Sequence, residues 1–212
     1  IFGTYNLVES AKKENVDIIF YPSVKKIYPR SFLTSIKISG ITESLCGRFR
    51  PGHFNGVALV VAKLLNIVTP DVMYLGQKDA QQCVVIKRMV EDLNIPVKVK
   101  IGPTVREKDG LAMSSRNKYL TPQQRHEAPV LYKALTHARA VIRQGEQNAE
   151  RIIKAMASHI KEKSSGKVHY IECVDPETLQ PVKKIDGPVL IALAVWFGKA
   201  RLIDNIFVSS RK

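Results

Sequence analysis

The chain has 212 residues, of which 45% are hydrophobic and 25% are charged. This composition excludes a disordered or fibrous chain and fits one or two compact domains. No apolar run approaches the roughly 20 residues that span a membrane, and the first residues lack the pattern of a secretion signal. We therefore expect a soluble, non-secreted protein with no membrane partner.

The net charge of +14 would suit a nucleic-acid binder, because basic surfaces attract polyanions. The excess of positive charge, however, is divided almost evenly between the two halves of the chain and forms no basic stripe. The largest basic clusters are pairs, such as Lys12-Lys13 and Lys183-Lys184. We expect no nucleic-acid partner and favour small anionic substrates.

The three cysteines, Cys46, Cys83 and Cys173, are odd in number and far apart. They form no C-x-x-C pair of the kind found in zinc and redox sites. We expect them to be reduced and buried.

The first half of the chain alternates short apolar runs with amphipathic segments, a pattern typical of a parallel sheet with crossover helices. Three runs predict strands: Asp17–Phe20, Val72–Leu75 and Val97–Ile101. Between them, apolar residues recur at helical spacing from Val57 to Leu65 and from Val85 to Leu93. A βαβ half-sheet is expected here.

The pattern changes at a Gly102-Pro103 step, which is followed by a turn signal at Asp109-Gly110. We therefore predict a domain boundary near residues 103–117, with a first domain at 1–104 and a smaller α+β domain at 105–212.

The second domain is predicted to contain two helical segments, about residues 122–144 and 148–163. Two strands follow them, Val168–Val174 and Val189–Trp196.

The segment Gly76–Gln82 follows a predicted strand and opens a helix. Ligands of open parallel sheets bind beyond the carboxyl ends of the strands, where helix amino termini attract phosphates. Gly76 would allow close approach of the backbone, and Lys78 would bring a mobile positive charge. Asp79 and Gln82 also have the spacing of a helix capping box, so a ligand role and a structural role both remain open.

Two further segments carry candidate site residues. His53 lies in Arg50–Phe54, just before a predicted helix, where a cap or surface role is more common than catalysis. The segment Pro103–Asn117 places Ser114, Ser115 and Arg116 near a glycine hinge. Two hydroxyls and a guanidinium would suit a triphosphate, although a solvated interdomain linker is an equal alternative.

Taken together, these segments resemble the pantothenate synthetase family, the ATP-dependent ligases that join pantoate to β-alanine. The resemblance covers nearly the whole chain and is supported by five stretches, namely Arg50–Val57, Asn66–Asp71, Gly76–Gln82, Pro103–Leu120 and Arg201–Asn205.

The resemblance implies a Rossmann-like nucleotidyltransferase domain, here partial, with a smaller carboxy-terminal domain that closes over it. It also implies a cytoplasmic homodimer and a two-step reaction that uses ATP and Mg²⁺. Pantoate first forms pantoyl adenylate and pyrophosphate, and the β-alanine amine then displaces AMP.

The resemblance also suggests roles for individual residues. Lys78, Arg116 and His53 are the catalytic candidates, and Gln82 matches a pantoate-binding glutamine. The ATP-binding candidates are Gly76, Gln77, Lys78, Asp79, Val105, Met113, Ser114, Ser115 and Arg116. Within this set, Asp79 would meet the ribose, Lys78 the phosphates, and the backbone of Val105 the adenine.

The chain departs from the family at its start. The family's His-x-Gly-His signature and an associated glutamine are not found, and Asn6 and Leu7 lie where the magnesium-linked acids are expected. We therefore assign no metal ligand, and we expect the 212 residues alone to have severely reduced adenylation activity.

Two alternatives stay open. Met113–Arg116 loosely resembles the Met-Ser-Lys-Ser loop of class I aminoacyl-tRNA synthetases, of which the chain could be a fragment. The chain could also be a catalytically inactive nucleotide-binding fragment.

Overall fold

The structure is a computed structural model that describes residues 2–209, with side chains from residue 8 onward. Its contacts divide the chain into two units, Ile1–Thr34 and Ser35–Lys212. The helices are α1 Phe2–Lys13, α2 Val24–Ile27, α3 Leu45–Arg48, α4 His53–Val68, α5 Ala80–Asp92, α6 Pro122–Glu127, α7 Val130–Arg143 and α8 Ala149–Lys163. The strands are β1 Val72–Gly76, β2 Lys98–Gly102, β3 Lys167–Val174, β4 Val189–Phe197 and β5 Ala200–Val208.

The first unit contains α1 and α2, joined by a turn and an irregular segment. The strand predicted at Asp17–Phe20 does not form, and Ile18 is 83% exposed. A strand needs a neighbour to take up its backbone hydrogen bonds. The described part of this unit contains no other strand, so the prediction was wrong there.

The second unit begins with the predicted βαβ half-sheet. β1 and β2 pair in parallel, with Val72 opposite Lys98 and Gly76 opposite Gly102. α4 and α5 cover the sheet and bury a cluster that includes Ala58, Ile86 and Met89. The strand ends at Gly76 and Gly102 therefore lie side by side at one edge, where α5 begins.

The rest of the second unit is a three-stranded antiparallel sheet in the order β3-β4-β5. α7 and α8 pack on one face and bury residues such as Leu135 and Ile160. The long helix predicted at 122–144 is divided into α6 and α7 at Ala128-Pro129, because proline cannot donate the backbone hydrogen bond that a continuous helix requires. β5 was not predicted.

The two faces of β5 have different roles. Leu202 and Ile206 lie in the core against the helices, whereas Arg201, Ile203 and Asn205 line a cavity on the other side. Successive strand residues point to opposite faces, so this alternation carries polar side chains to the site.

The structure confirms the predicted α/β class, with a parallel half-sheet followed by an α+β region. The division at residues 104 and 105 stays a prediction. Within residues 2–209, no helix is both long enough and apolar enough to cross a membrane. All three cysteines are free, with Cys83 and Cys173 buried as predicted and Cys46 only partly buried.

Candidate active site

A cavity of about 320 Å³ lies where the edge of the parallel sheet meets β4 and β5. It brings together five of the predicted site residues: Lys78, Asp79, Gln82, Arg116 and His53. They come from three separate segments of the chain, so the cavity is the candidate active site.

The turn between β1 and α5 supplies three of these residues. After β1 ends at Gly76, Gln77–Asp79 forms a 3-10 turn that leads into α5. Asp79 occupies the position before the helix, but its side chain makes no capping hydrogen bond. The alternative of a capping box with Gln82 was therefore wrong, and both side chains line the cavity instead.

The same turn is held from β5 by Asn205. The Asn205 side-chain amide donates to the backbone oxygens of Gln77 and Lys78, each at 2.9 Å. The Lys78 side chain has no hydrogen bond or ion pair within the described part of the chain. The backbone of Lys78 is thus fixed, while its ammonium group is free to meet an anion.

Cys83, on α5, also holds the turn in place. Its thiol donates to the backbone oxygen of Gly76 at 3.3 Å, and burial raises the pKa of this thiol to about 11. Cys83 is therefore a neutral packing residue and not a nucleophile.

Gln81 is a buried residue that the sequence reasoning missed. Its amide donates to the backbone oxygens of Ile41 and Ser44 at 3.0 and 2.8 Å, and its oxygen accepts from Gly47 at 3.3 Å. It ties the loop before α3 to α5. The neighbouring Gln82 makes none of these contacts, and it lines the cavity.

The loop after β2 is anchored through Arg106. Its guanidinium donates two hydrogen bonds to Asp204, at 2.7 and 3.0 Å, and one to the Gly110 oxygen at 3.0 Å. It also lies 3.7 Å from the centre of the Tyr132 ring. The Asp204 side chain is only 2% exposed, so this pair fixes the loop to β5 from a buried position.

Gly110 completes the anchor. It has a φ of 93°, and a Cβ at this position would lie 2.6 Å from the Tyr132 ring. Both the backbone conformation and the available space require glycine here.

Beyond the anchor, the loop presents Ser114 and Arg116. The Ser114 hydroxyl accepts from the Arg116 backbone at 3.2 Å and caps the 3-10 helix Ser115–Tyr119. This orients Arg116, whose guanidinium lines the cavity without a carboxylate partner among the described residues. Ser114 lines a smaller pocket that also contains Lys78.

Other predicted ATP-binding residues lie outside the cavity lining. Val105 and Met113 are 66% and 51% exposed and are joined by a backbone hydrogen bond of 2.9 Å from Met113 to Val105. Ser115, Gly76 and Gln77 are likewise absent from the lining residues. The structure therefore does not place these five residues in the lining of the cavity.

His53 is the first residue of α4, after Gly52 with a φ of 76°. The Arg50 guanidinium lies 3.0 Å from His53 Nε2. Since a guanidinium can only donate, Nε2 accepts and the ring is neutral. Burial and the charge of Arg50 both lower the pKa of His53, so this histidine faces the cavity without a charge of its own.

The sequence reasoning also missed Arg201, Tyr170 and Cys46 in the cavity lining. The Arg201 guanidinium donates to His169 at 3.1 Å and to the Cys46 sulfur at 3.7 Å. The stretch Arg201–Asn205 was recognised only as a segment that resembles the family sequence, with no role assigned to its residues. Its polar residues on an otherwise apolar strand are the signal that could have assigned Arg201 to the site.

The cavity is cationic overall. Four cationic side chains line it, namely Arg50, Lys78, Arg116 and Arg201, while the lining carboxylates are Asp79 and Asp204. Asp204 is already neutralised by Arg106. Such a surface suits a substrate with several negative charges.

Metal coordination is a separate matter. Within residues 2–209, no group of three His, Cys, Asp or Glu side chains is placed to hold a metal ion. The described residues therefore form no metal site of their own, whereas Mg²⁺ in nucleotide sites is held by one or two carboxylates together with water and substrate phosphates.

Comparison with known proteins decides the family. The sequence profile described as Pantoate-beta-alanine ligase matches residues 6–207. The chain belongs to the pantoate–β-alanine ligase family. The resemblance predicted from its motifs is confirmed.

Similar proteins agree with this assignment. A pantothenate synthetase from Caldicellulosiruptor saccharolyticus is 54% identical over 198 residues, which are 93% of this chain and 70% of the relative. One from Thermotoga neapolitana is 53% identical over 92% of this chain and 69% of the relative.

Two solved structures are also similar. Pantothenate synthetase from Thermus thermophilus matches with a TM-score of 0.90 and 42% identity, over 96% of this chain and 74% of that one. Pantoate-beta-alanine ligase from Francisella tularensis, in complex with beta-gamma ATP and beta-alanine, matches with a TM-score of 0.71 and 35% identity, over 94% and 67% of the two chains. The family is thus an enzyme family of ATP-dependent ligases, and its fold is that of this chain.

Proposed function

We propose that the protein joins pantoate to β-alanine at the expense of ATP, through a pantoyl-adenylate intermediate. The observation that carries the proposal is the cationic cavity that gathers Lys78, Asp79, Gln82, Arg116 and His53. Family membership supplies the reaction class, and the ligands of the Francisella tularensis relative are two of the proposed substrates.

In the first step, a pantoate carboxylate oxygen attacks the α-phosphorus of ATP, and the bond to the leaving pyrophosphate breaks. Negative charge builds on the phosphate oxygens, and fixed cations stabilise this charge most effectively. None of the four lining cations pairs with a carboxylate in the described part of the chain. Arg50 contacts His53 and Arg201 donates to His169, whereas Lys78 and Arg116 make no side-chain hydrogen bond there. We assign them to the phosphates.

Gln82 and Asp79 are proposed to position the substrates. The Gln82 amide can donate to the pantoate carboxylate and accept from a hydroxyl, and Asp79 can accept from ribose hydroxyls. Both lie in the lining, and neither has a capping role in the helix.

In the second step, the β-alanine amine attacks the acyl carbon, AMP leaves with the carboxylate oxygen that bridged to phosphorus, and the new amide nitrogen loses a proton. His53 lies in the cavity and is neutral, so it can accept a proton or hydrogen-bond an amine. Its role as a catalytic residue is part of the proposal.

The remaining ATP contacts are proposed for the loop after β2. The Val105 backbone would meet adenine, and Met113, Ser114 and Ser115 would close over the nucleotide with Arg116. Gly76 and Gln77 would approach it from the turn. At Gly76, φ is −91° and a Cβ would meet no protein atom within 4 Å, so neither strain nor packing explains the glycine.

Cytoplasmic location, a homodimer and Mg²⁺ bound with ATP are further proposals that follow from the family resemblance. The dimer is tested by light scattering during size-exclusion chromatography, where a single monomer mass would contradict it.

The proposed chemistry is tested with Lys78→Ala in the full-length enzyme. Release of pyrophosphate that depends on both pantoate and ATP should fall by about a hundredfold or more, because a fixed cation at developing charge is worth roughly 3–4 kcal/mol. Lys87→Ala is the matched control, since Lys87 also lies on α5 but is exposed and paired with Glu91. Wild-type rates in Lys78→Ala would remove Lys78 from the phosphate role.

A further inference from the structure

A second pocket adjoins the active-site cavity and shares Arg50, Arg116 and Arg201 with it. Its volume is about 570 Å³, and Lys199 and Trp196 complete its outer side. We call it the rim pocket. The function proposed above gives no role to Lys199, Trp196 or His169.

The charges of the rim pocket all have one sign. Four of its lining residues are cations, namely Arg50, Arg116, Lys199 and Arg201, and none is a carboxylate. Arg116 and Lys199 form no ion pair with any described residue. Opposing cations without counter-charges repel one another, and an anion between them removes that repulsion.

Arg201 adds a buried donor. Its Nε donates to His169 Nδ1 at 3.1 Å, and one of its terminal nitrogens, Nη2, is buried without a hydrogen-bond partner in the described structure. Buried polar groups are normally satisfied. An oxygen of a bound anion would satisfy this one.

The wall of the rim pocket depends on an irregularity in β3. The register between β3 and β4 shifts between Val168 and Tyr170, which makes His169 an extra residue in the strand. A bulge of this kind turns consecutive side chains to the same side. Accordingly, His169 and Tyr170 both contact the Phe49 ring, with centroids at 4.0 and 6.1 Å.

The adjoining part of the wall comes from the β4–β5 hairpin, where the Trp196 ring lies 6.2 Å from that of His169. Trp196 pairs directly with Arg201 across the two strands, so the two side chains lie on the same face. The turn Gly198-Lys199 follows, with a Gly198 φ of 55°, and places Lys199 at the mouth. One sheet thus supplies a bulge, a strand pair and a tight turn to the pocket, and Phe49, Arg50 and Arg116 complete the lining from outside that sheet.

We propose that the rim pocket binds pyrophosphate as it leaves the reaction site. Arg116 and Arg50 line both spaces, so the leaving group can pass from the cavity to the rim pocket without losing contact with cations. Arg201 and Lys199 would then bind its terminal oxygens by charge-assisted hydrogen bonds. This inference rests on the proposed function for the identity of the anion.

The chain offers a built-in reporter of this pocket. Trp196 is the only tryptophan among the 212 residues, and it is 38% exposed. Titration with inorganic pyrophosphate should change its fluorescence in a saturable way. Lys199→Gln should raise the dissociation constant about ten- to a hundredfold, the usual effect of losing one charge-assisted hydrogen bond. Lys161→Gln, an exposed lysine on α8 away from the pocket, should leave it unchanged.

Two further titrations separate the sources of the anion. ATP without pantoate should give a signal that is insensitive to Lys199→Gln, since its triphosphate would still be held at Lys78. If Lys199→Gln weakens the binding of ATP and of pyrophosphate equally, the pocket holds the triphosphate of ATP, and the proposal of a leaving-group site is overturned. It is also overturned if pyrophosphate gives no saturable change, or if orthophosphate gives the same signal at the same concentration.

The test is independent of the proposed function. Pyrophosphate binding that depends on Lys199 would stand even if no pantoate-dependent pyrophosphate release were found, and that result would refute the ligase proposal alone. Release at a normal rate without such binding would refute the rim pocket alone.

Discussion

Replacing Arg106 by methionine should destabilise the protein more than any other single change to the loop after β2. The substitution removes both hydrogen bonds to Asp204, the bond to the Gly110 oxygen and the contact with Tyr132. Asp204 remains 2% exposed and loses its counter-charge. An uncompensated buried charge of this kind costs about 3–5 kcal/mol, which corresponds to a fall in Tm of roughly 6 to 20 °C for a protein of this size.

The assay is urea denaturation of the wild type, Arg106→Met and a matched control, Arg125→Met. Arg125 also pairs with an aspartate, Asp109, at 2.6 Å, but both side chains are more than a third exposed. Exposed pairs contribute about 0–1 kcal/mol, so the control should lose no more than that. In Arg106→Met combined with Asp204→Leu, part of the loss should be recovered. A loss below about 1 kcal/mol in Arg106→Met would refute the anchor.

Two other predictions concern the site itself. Because burial and Arg50 lower the pKa of His53, its ring proton resonances should titrate below the usual 6.5, and the midpoint should move toward 6.5 in Arg50→Ala. The unfolded chain then binds the proton more readily than the folded one, so the free energy of unfolding should fall as pH drops from 6.5 toward the folded pKa. A His53 titration at or above 6.5 would refute this prediction. Asn205→Ala removes both hydrogen bonds to the turn at Gln77 and Lys78. This should lower kcat by about ten- to a hundredfold through misplacement of Lys78 and reduce the free energy of unfolding by about 1–2 kcal/mol. A wild-type kcat in this variant, measured by pyrophosphate release, would show that the turn needs no support from β5.

The sequence predicted the parts of the fold that depend on local pattern. The helical spacing of the apolar residues from Val57 to Leu65 and from Val85 to Leu93 predicted α4 and α5, because residues at this spacing form one buried face of a helix. The same pattern could not decide about Asp17–Phe20, since an apolar run becomes a strand only if a partner strand is available.

Strand β5 was missed for the opposite reason. Arg201, Asp204 and Asn205 interrupt its apolar character, and their polarity reflects the site on one face and a buried ion pair on the other. Asp204 meets Arg106, a residue 98 positions earlier, and no local rule predicts a contact at that separation. Functional residues often break local patterns in this way.

Within the site, motifs identified the residues but could not separate roles. Asp79 and Gln82 fitted a capping box as well as they fitted ligand binding. The missing cap hydrogen bond excludes the first role, and ligand binding stays a proposal. Gln81, next to Gln82, turned out to be the structural glutamine. Two adjacent residues of one type on a helix differ by about 100° in direction, and the packing around the helix determines which of them is buried.

The most direct test of the account follows one oxygen atom through the reaction. Pantoate labelled with ¹⁸O in its carboxylate is incubated with ATP, β-alanine and the protein, and the AMP produced is analysed by mass spectrometry. If the carboxylate attacks the α-phosphorus, one labelled oxygen must remain on AMP when the amine displaces it. Unlabelled AMP, or label recovered in orthophosphate together with ADP, would contradict the adenylate mechanism.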